Sequence, residues 1–348
     1  MNKVILSTSL FEDLAIAMSE CCHDHSFVLT DSTTKESCWP LLSDFMGLRS
    51  ATHVTIPATD TFKNLDSLSH VWEELVSHGA TRHSCLICLG GGMVTDLGGF
   101  AASTFKRGIN YINIPTTLLS MVDASVGGKT GVNFKGLKNE IGVFSEPQAT
   151  IIHTGFLNTL DSGNLRSGYA EMLKHGLISN NKTWAELLQF DILHPDLDQL
   201  QAMVGQSVEV KKRIVEQDPH EHGIRKALNL GHTIGHALES WAMQNGHPIL
   251  HGHAVALGLI GELYLSSIIA GFPTDKMHAT VSYIHDTYER LPFTCDDYPT
   301  LLELMSHDKK NIGSAINFTL LADIGDLRLN QTPSKEFIEE ALDFIRES

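Results

Sequence analysis

The chain has 348 residues, of which 42% are hydrophobic and 19% are charged, and its formal net charge at pH 7 is −16. This length suits two domains, and the composition has no signature of disorder. The negative charge argues against binding to nucleic acid or to an anionic membrane surface, so the cations that bind an anionic ligand would have to be gathered locally.

We expect no membrane span, because the longest apolar runs of the sequence are far shorter than a span requires. The N-terminus MNKVILSTSLFEDL lacks the apolar core and the cleavage site of a signal peptide. We therefore expect a cytoplasmic protein with no membrane partner.

The first part of the chain alternates short apolar runs with a helical pattern. Strands are predicted for VILSTS, SFVLTDS, ATHVTIPA, SCLICLGGG, YINIPTT and ATIIHT, and LDSLSHVWEELVSHG is predicted to be an amphipathic helix that ends at Gly79. Strands that alternate with helices predict a mostly parallel, Rossmann-like sheet with helices on its faces. Cys85 and Cys88 in the fourth strand are expected to be core residues rather than a metal or redox pair, because positions three apart on a strand face opposite sides.

Helical periodicities dominate after about residue 155. Helices are predicted for LRSGYAEMLKHGLIS, LDQLQAMVGQSVEVKKRIVEQ, GHTIGHALESWAMQ, HAVALGLIGELYLSSIIAG and KEFIEEALDFIRE. The sequence thus predicts an α/β domain over residues 1–154 and a mainly α-helical domain over residues 155–348.

Three glycines, Gly90, Gly91 and Gly92, end the strand SCLICL just before a helix that should start near Met93. Such a turn lets phosphate oxygens approach backbone N–H groups at the positive end of a helix, although it is not a GxGxxG fingerprint and a tight turn is its commoner role. Polar side chains also follow three other strands: Asp31, Asp60, Lys63, Thr116 and Thr117. Because open α/β sheets bind ligands at their strand ends, we expect a dinucleotide there.

The segment PTTLLSMVDASVGGKTGVNFKGLKNEIGVF is predicted to be a long glycine-rich loop. It carries Lys129, Lys135, Lys138 and Asn139, and it follows Arg107. Long loops in compact domains are uncommon and usually functional. Since the lysines lie among glycines in a strongly acidic chain, we expect them to bind an anion, with a flexible solvated loop as the alternative.

Histidines cluster in the second part of the chain. His232 and His236 are four residues apart and share a helix face, and HPILHGHAVALG supplies three more, His247, His251 and His253. Glu171 and Lys174 share a face of another predicted helix. A carboxylate and two imidazoles from three helices would form an open zinc site, whereas any single histidine is more often an ordinary surface or core residue.

Taken together, these segments resemble the 3-dehydroquinate synthase family of sugar-phosphate cyclases. The resemblance runs from about residue 26 to residue 325 and is carried by GGGMVTDLGGFAASTFKRG, IPTTLLSMVDASVGGKTGVN, LKNEIGVF, GYAEMLKHGLI and LNLGHTIGHALE. It implies an NAD-binding N-terminal domain, a helical C-terminal domain with a divalent metal (zinc, with cobalt as the alternative), a sugar-phosphate substrate and a homodimer.

The resemblance also implies three sets of site residues. NAD would contact Asp31, Asp60, Lys63, Gly90, Gly91, Gly92, Met93, Asp96, Thr116, Thr117, Lys129, Lys138 and Thr159. The metal ligands would be Glu171, His232 and His251. The substrate would contact Arg107, Asp123, Lys129, Asn139, Lys174, Lys211, Arg225, Asn229, His236 and one lysine of DKKN, Lys309 or Lys310.

The implied reaction converts 3-deoxy-D-arabino-heptulosonate 7-phosphate to 3-dehydroquinate and phosphate, a step of the shikimate pathway of aromatic amino acid biosynthesis. It proceeds by NAD-mediated oxidation, phosphate elimination, reduction, ring opening and intramolecular aldol closure, so the enzyme is a lyase that regenerates its NAD. Three alternatives stay open: another sugar-phosphate cyclase, a metal-dependent polyol dehydrogenase that consumes NAD, and a binding module without activity.

Overall fold

The computed structural model describes residues 3–135, 137–307 and 315–348. Lys309 and Lys310, predicted as alternative substrate contacts, lie outside the described residues. Contacts divide the chain into two compact units. The first comprises Met1–Asp161 and Asp196–Val208, and the second comprises Ser162–Pro195 and Glu209–Ser348.

The first unit contains a parallel sheet with helices along it. Its strands are β1 (Lys3–Leu6), β2 (Ser26–Asp31), β3 (Thr52–Ile56), β4 (Cys85–Gly90), β5 (Asn110–Pro115), β6 (Lys129–Phe134), β7 (Leu137–Phe144) and β8 (Ala149–Ile152). Its helices are α1 (Leu10–Glu20), α2 (Ser32–Ser37), α3 (Leu65–Ser77) and α4 (Gly92–Thr104). Within the described residues, six strands pair in parallel in the order β1-β8-β5-β4-β2-β3, which confirms the predicted sheet.

The central strands are apolar on both faces because helices cover the sheet, as is usual for parallel sheets. All six residues of β4 are buried, and the core around it joins residues of α3 and α4 such as Leu68, Leu75 and Leu97. Cys85 and Cys88 are free and fully buried, so the prediction that they serve core packing is confirmed.

The lysine-rich segment is not the predicted long loop. After a π-helical turn at Ser120–Ala124, β6 and β7 form an antiparallel hairpin that packs against α4. Glycine normally weakens strands, which is why the segment resembled a loop. Here glycine permits close pairing, because a Cβ on Gly142 would lie 2.1 Å from the carbonyl oxygen of Thr130.

The second unit is mainly helical, as predicted. Its helices are α5 (Ser162–Leu177), α6 (Asn181–Gln189), α7 (Leu197–Gln217, shared with the first unit), α8 (His232–Gln244), α9 (His251–Leu265), α10 (Thr274–Thr287), α11 (Tyr298–Ser306) and α12 (Lys335–Glu347). Two strands that we did not predict, β9 (Phe318–Asp323) and β10 (Asp326–Gln331), form an antiparallel hairpin. Gly325, with φ 77°, makes its tight turn.

One apolar helical run departs from the expectation about membrane spans. His251–Ala270, which comprises α9 and a following π-helical turn, is long and apolar enough to cross a membrane by length and composition. In the structure, however, 67% of its most apolar window is buried, and α9 packs against α5, α8 and α12. Its composition is explained by its place at the centre of the second unit.

Candidate active site

The carboxyl ends of β2, β3, β4 and β5 lie at one edge of the sheet. In the strand register Asp31 pairs with Ile56, and Gly90 pairs with Pro115. β3, the strand that follows β2 in sequence, lies on one side of the β2–β4 pair, and β5, the strand that follows β4, lies on the other side. The direction of strand order therefore reverses between β2 and β4. Open α/β sheets bind nucleotides in the crevice at this kind of switch point, and Asp31 and the glycine turn flank it.

The glycine turn leads directly from β4 into α4. Gly91 is the N-cap residue of α4, with no side-chain cap, and Gly92 is the first helical residue, one position before the predicted Met93. A Cβ on Gly91 would lie 3.1 Å from Cγ2 of Thr117. The turn therefore presents bare backbone at a helix N-terminus, which is an arrangement suited to a phosphate group.

Several other predicted NAD contacts also stabilise local turns. Asp31 caps α2, since its Oδ1 accepts a 2.8 Å hydrogen bond from the backbone N–H of Thr34. The Thr117 backbone N–H donates to Oγ of Ser120 at 3.2 Å, and Thr116 donates to the Gly90 carbonyl at 3.0 Å. Thr159 donates to the carbonyl of Phe156 at 2.8 Å. The described hydrogen bonds of these residues are therefore made within the protein, and their contact with NAD stays a prediction.

Lys63 is buried in a polar network that joins three predicted site residues. Its Nζ lies 2.5 Å from Oδ2 of Asp96 and 2.5 Å from Oδ1 of Asn139. Asn133 extends the network, because its Nδ2 donates to Asp60 Oδ2 at 3.1 Å and its Oδ1 accepts from the Asn139 N–H at 2.9 Å. The structure thus joins Asn139, predicted to contact substrate, to residues predicted to contact NAD.

Other predicted residues of the first unit are spread along the hairpin and α4. Lys129 is exposed at the start of β6 and pairs with Phe144, Lys138 is exposed on β7, and Asp123 is half-buried in the π-helical turn. Arg107 follows the far end of α4, a helix of 13 residues and hence about 20 Å long. There it lines a cavity of about 420 Å³, so the structure does not bring Arg107 to the carboxyl edge of the sheet.

In the second unit, the three predicted metal ligands converge from three helices. Glu171 lies on α5, while His232 and His251 are the first residues of α8 and α9. Oε1 of Glu171 lies 3.3 Å from Nε2 of His232 and 3.6 Å from Nε2 of His251. The side-chain donors therefore meet at one point, and two imidazoles with a carboxylate are a donor set that suits zinc.

Of the other histidines near the cluster, His236 borders the predicted ligands, whereas His247 and His253 do not. Donor atoms of His232, His236 and His251 lie within 4.8 Å of one another, so the exposed His236 borders the same point. His247 is exposed, and Nε2 of His253 lies 2.6 Å from the carbonyl oxygen of Glu289. We therefore retain His236 beside the predicted ligands and leave His247 and His253 out of the cluster.

The pKa values in the cluster are set by two opposing effects: burial, which disfavours the charged forms, and pairing with opposite charges, which favours them. Burial would raise the pKa of Glu171, but the Lys174 ammonium and His232 outweigh it and hold that pKa well below its ordinary value. Burial lowers the pKa of His232 to about 4. Burial acts in the same direction on His251, but hydrogen bonds to Glu171 and Glu239 raise its pKa to about 10. The cluster thus holds a buried carboxylate in its ionised form, as a cation site requires.

The predicted substrate contacts of the second unit are mostly buried cations. Lys174 forms an ion pair with Glu171, and Lys174, Lys211 and Arg225 are each less than 10% exposed. Arg225 donates from Nη1 to the carbonyl of Pro219 at 2.7 Å, and Asn229 donates from Nδ2 to Glu221 at 3.1 Å. Buried cations are costly unless they are paired, so each of these side chains requires polar or anionic partners.

Two glutamates that the sequence did not single out support the cluster. Oε2 of Glu239 lies 3.1 Å from Nδ1 of His251. Glu262, which is fully buried on α9, accepts backbone hydrogen bonds from Gly231, Thr233 and Ile234 at the start of α8. A signal for Glu262 was present in the sequence, because a lone carboxylate in an otherwise apolar helix requires a partner.

Comparisons with known proteins bear on both units. Residues 53–167 match the model of the 3-dehydroquinate synthase N-terminal domain, and residues 168–311 match that of the C-terminal domain. A 3-dehydroquinate synthase of Parabacteroides distasonis is 54% identical over 100% of this chain and 98% of its own length.

Two solved structures share the fold. A 2-deoxy-scyllo-inosose synthase complexed with carbaglucose-6-phosphate, NAD⁺ and Co²⁺ has a TM-score of 0.86 at 23% identity, over 99% of this chain and 96% of its own. A 2-epi-5-epi-valiolone synthase from Streptomyces hygroscopicus with NAD⁺ and Zn²⁺ bound has a TM-score of 0.84 at 25% identity. The match covers 100% of this chain and 97% of the synthase chain. With both domain models matched in order and a full-length relative at 54% identity, this chain belongs to the 3-dehydroquinate synthase family.

Proposed function

We propose that this chain converts 3-deoxy-D-arabino-heptulosonate 7-phosphate to 3-dehydroquinate and phosphate, using NAD and a divalent metal. The observation that carries the proposal is the convergence of Glu171, His232 and His251 beside the buried Lys174. Membership of the family supports the choice of reaction over the other carbocycle-forming cyclases, because the relative with 54% identity is a 3-dehydroquinate synthase.

The metal site would consist of Glu171, His232 and His251, and a divalent ion there would supply Lewis-acid polarisation of a substrate oxygen. Zinc is our first choice and cobalt the second, because solved structures of the same fold contain one or the other. Lys174 keeps Glu171 ionised, so the carboxylate is ready to bind a cation. His236 is exposed beside these ligands and is the side chain best placed to accept or donate a proton there.

The dinucleotide site would lie at the carboxyl edge of the parallel sheet, where NAD would supply reversible hydride transfer. The N–H groups at the start of α4 would face the pyrophosphate, and Asp31 would bind a ribose hydroxyl across the switch point. Lys63 is held by Asp96 and Asn139, so the position of its ammonium group is fixed near this edge. On this basis we propose an NAD-binding domain over residues 1–154 and a metal- and substrate-binding domain over residues 155–348; by contacts alone, residues 155–161 and 196–208 group with the first unit.

Each unit by itself contains polar or cationic residues that we propose as phosphate contacts: Lys129 and Asn139 in the first unit, and Arg225 in the second. Holding the phosphate keeps the leaving group in place during elimination. We also propose that the chain is a cytoplasmic homodimer, as the family resemblance implies. Light scattering of the purified protein tests the dimer, and a mass of one chain, 38.3 kDa, would oppose it.

We expect Gly91→Ala to weaken NAD binding by about tenfold, with a larger loss for Gly91→Val. The added Cβ would lie 3.1 Å from Cγ2 of Thr117, so Thr117 or the turn must shift, and a shift of the turn would displace the N–H groups proposed to face the pyrophosphate. Calorimetry measures the NAD affinity, and thermal unfolding checks that the fold survives. NAD binding that is unchanged in a folded Gly91→Ala protein would count against the turn as a phosphate site.

Lys129→Ala should weaken binding of the phosphate-bearing substrate by about 10- to 100-fold, because a charge-assisted hydrogen bond to phosphate is lost. An analogue without phosphate should bind both proteins almost equally. Since Lys129 is exposed at the start of β6, its loss should not disturb the fold. Lys182→Ala removes an exposed lysine of α6 and serves as the charge-matched control. Equal losses of affinity for both ligands would show that Lys129 has a structural role. The phosphate contacts would then be assigned to Lys174, Lys211 and Arg225.

The direct test of the function supplies the heptulosonate phosphate, zinc and much less NAD⁺ than substrate. We expect one phosphate released per 3-dehydroquinate formed and no accumulation of NADH. NADH that accumulates in step with product would indicate a polyol dehydrogenase. A different carbocycle would indicate another cyclase, and binding without turnover would indicate a module that has lost activity.

A further inference from the structure

Glu239 contacts the nitrogen of the His251 ring that faces away from Glu171. It lies on α8, seven residues after His232 and therefore on nearly the same face of the helix. Its Oε2 is 3.1 Å from Nδ1 of His251, and its side chain is 16% exposed. The Nε2 atom of the same ring lies 3.6 Å from Oε1 of Glu171. The imidazole is thus fixed between two carboxylates that approach its two nitrogens.

The chemistry of these groups determines which nitrogen of the His251 ring carries a hydrogen. A carboxylate oxygen can only accept, so Nδ1 of His251 must carry the hydrogen that it shares with Glu239. Metal binding at Nε2 requires that this nitrogen lose its hydrogen, and Nε2 then has the lone pair. Nε2 is also the atom that faces Oε1 of Glu171. A carboxylate that binds the outer nitrogen of a metal-ligating histidine sets both the tautomer and the ring orientation.

We infer that Glu239 is a positioning residue of the metal site, which holds Nε2 of His251 toward Glu171 and His232 by accepting the Nδ1 hydrogen. The inference rests on the proposed metal site. The bond between Glu239 and His251 is not needed to join α8 to α9, because the two helices pack along their length and Glu262 of α9 binds three N–H groups at the start of α8. A purely structural role therefore predicts little effect on metal affinity when Glu239 is replaced.

The test measures zinc affinity by competition with a chromophoric chelator for the full chain and two variants. Glu239→Ala removes the acceptor and should weaken zinc binding by about 10- to 100-fold, whereas Glu239→Gln keeps an acceptor oxygen and should lose less than about tenfold. Glu340→Ala is the control, because it removes an exposed carboxylate of the same unit that contacts Tyr264. Parent-like affinity in Glu239→Ala, or equal losses in the alanine and glutamine variants, would overturn the inference.

A measurement on the unaltered protein keeps the test decisive if Glu239→Ala does not fold. Nitrogen-15 NMR of histidine-labelled, zinc-loaded protein should show His251 with a protonated Nδ1 and a metal-bound Nε2, and the opposite tautomer would refute the inference. His251→Ala separates this result from failure of the site itself. Zinc retained by His251→Ala would reject the proposed ligands, whereas zinc lost from His251→Ala but retained by Glu239→Ala would reject only the role of Glu239.

Discussion

Replacing His251 with alanine is expected to abolish zinc binding and turnover together. The variant keeps Glu171 and His232, but two protein ligands leave a zinc ion without the three that open catalytic sites use. The charge balance also changes, because the imidazole of His251 contacts the carboxylates of both Glu171 and Glu239. We expect zinc content to fall from about one ion per chain to near zero, and phosphate release to fall by at least about a thousandfold.

Elemental analysis after dialysis, paired with a phosphate-release assay, checks this result. His247→Ala and His253→Ala are the matched controls, because both histidines lie near His251 in the chain but outside the cluster. Both controls should retain zinc. If His251→Ala retains its zinc, the ion is held by another set, and His236 would be the first residue to test because its donor atoms lie within 4.8 Å of those of His232.

The second large expected effect is a loss of stability of the helix start that carries His232, and it comes from replacing Glu262. Glu262→Ala should lower the free energy of unfolding of the second unit by about 4 kcal/mol, because it leaves buried N–H groups without an acceptor. The Glu262 carboxylate accepts from Gly231 at 2.6 Å, from Thr233 at 2.9 Å and from Ile234 at 3.2 Å. These N–H groups belong to the first turn of α8, which has no side-chain cap of its own.

The measurement is the thermal unfolding midpoint, which should fall by about 10 °C. Glu262→Gln keeps one acceptor oxygen and should lose about half as much, whereas Glu340→Ala, which removes an exposed glutamate, should change the free energy by less than about 0.5 kcal/mol. Zinc affinity should fall together with stability, because His232 is the first residue of α8. A Glu262→Ala protein that unfolds at the parent midpoint would show that the carboxylate does not cap the helix.

Regular elements with strong local patterns were predictable along the chain. The helical run LDQLQAMVGQSVEVKKRIVEQ coincides with α7 at Leu197–Gln217, and the apolar run SCLICLGGG contains β4 at Cys85–Gly90. Their periodicity reflects which side chains each element buries, and that information is local. The hairpins β6–β7 and β9–β10 were missed because glycine-rich and short segments show their strand character only when a partner strand pairs with them.

The sequence by itself determined the residue types of the site and the spacing that brings some of them together. His232 and His236 share a face because they are four residues apart on one helix, and the glycine turn follows a buried strand. Only the tertiary structure decided which distant groups complete the site. Glu239 reaches His251 across 12 residues, and Glu262 reaches Gly231 across 31, because α8 and α9 pack side by side. Contacts of this kind depend on how two helices meet in space, and no spacing along a single element specifies that meeting.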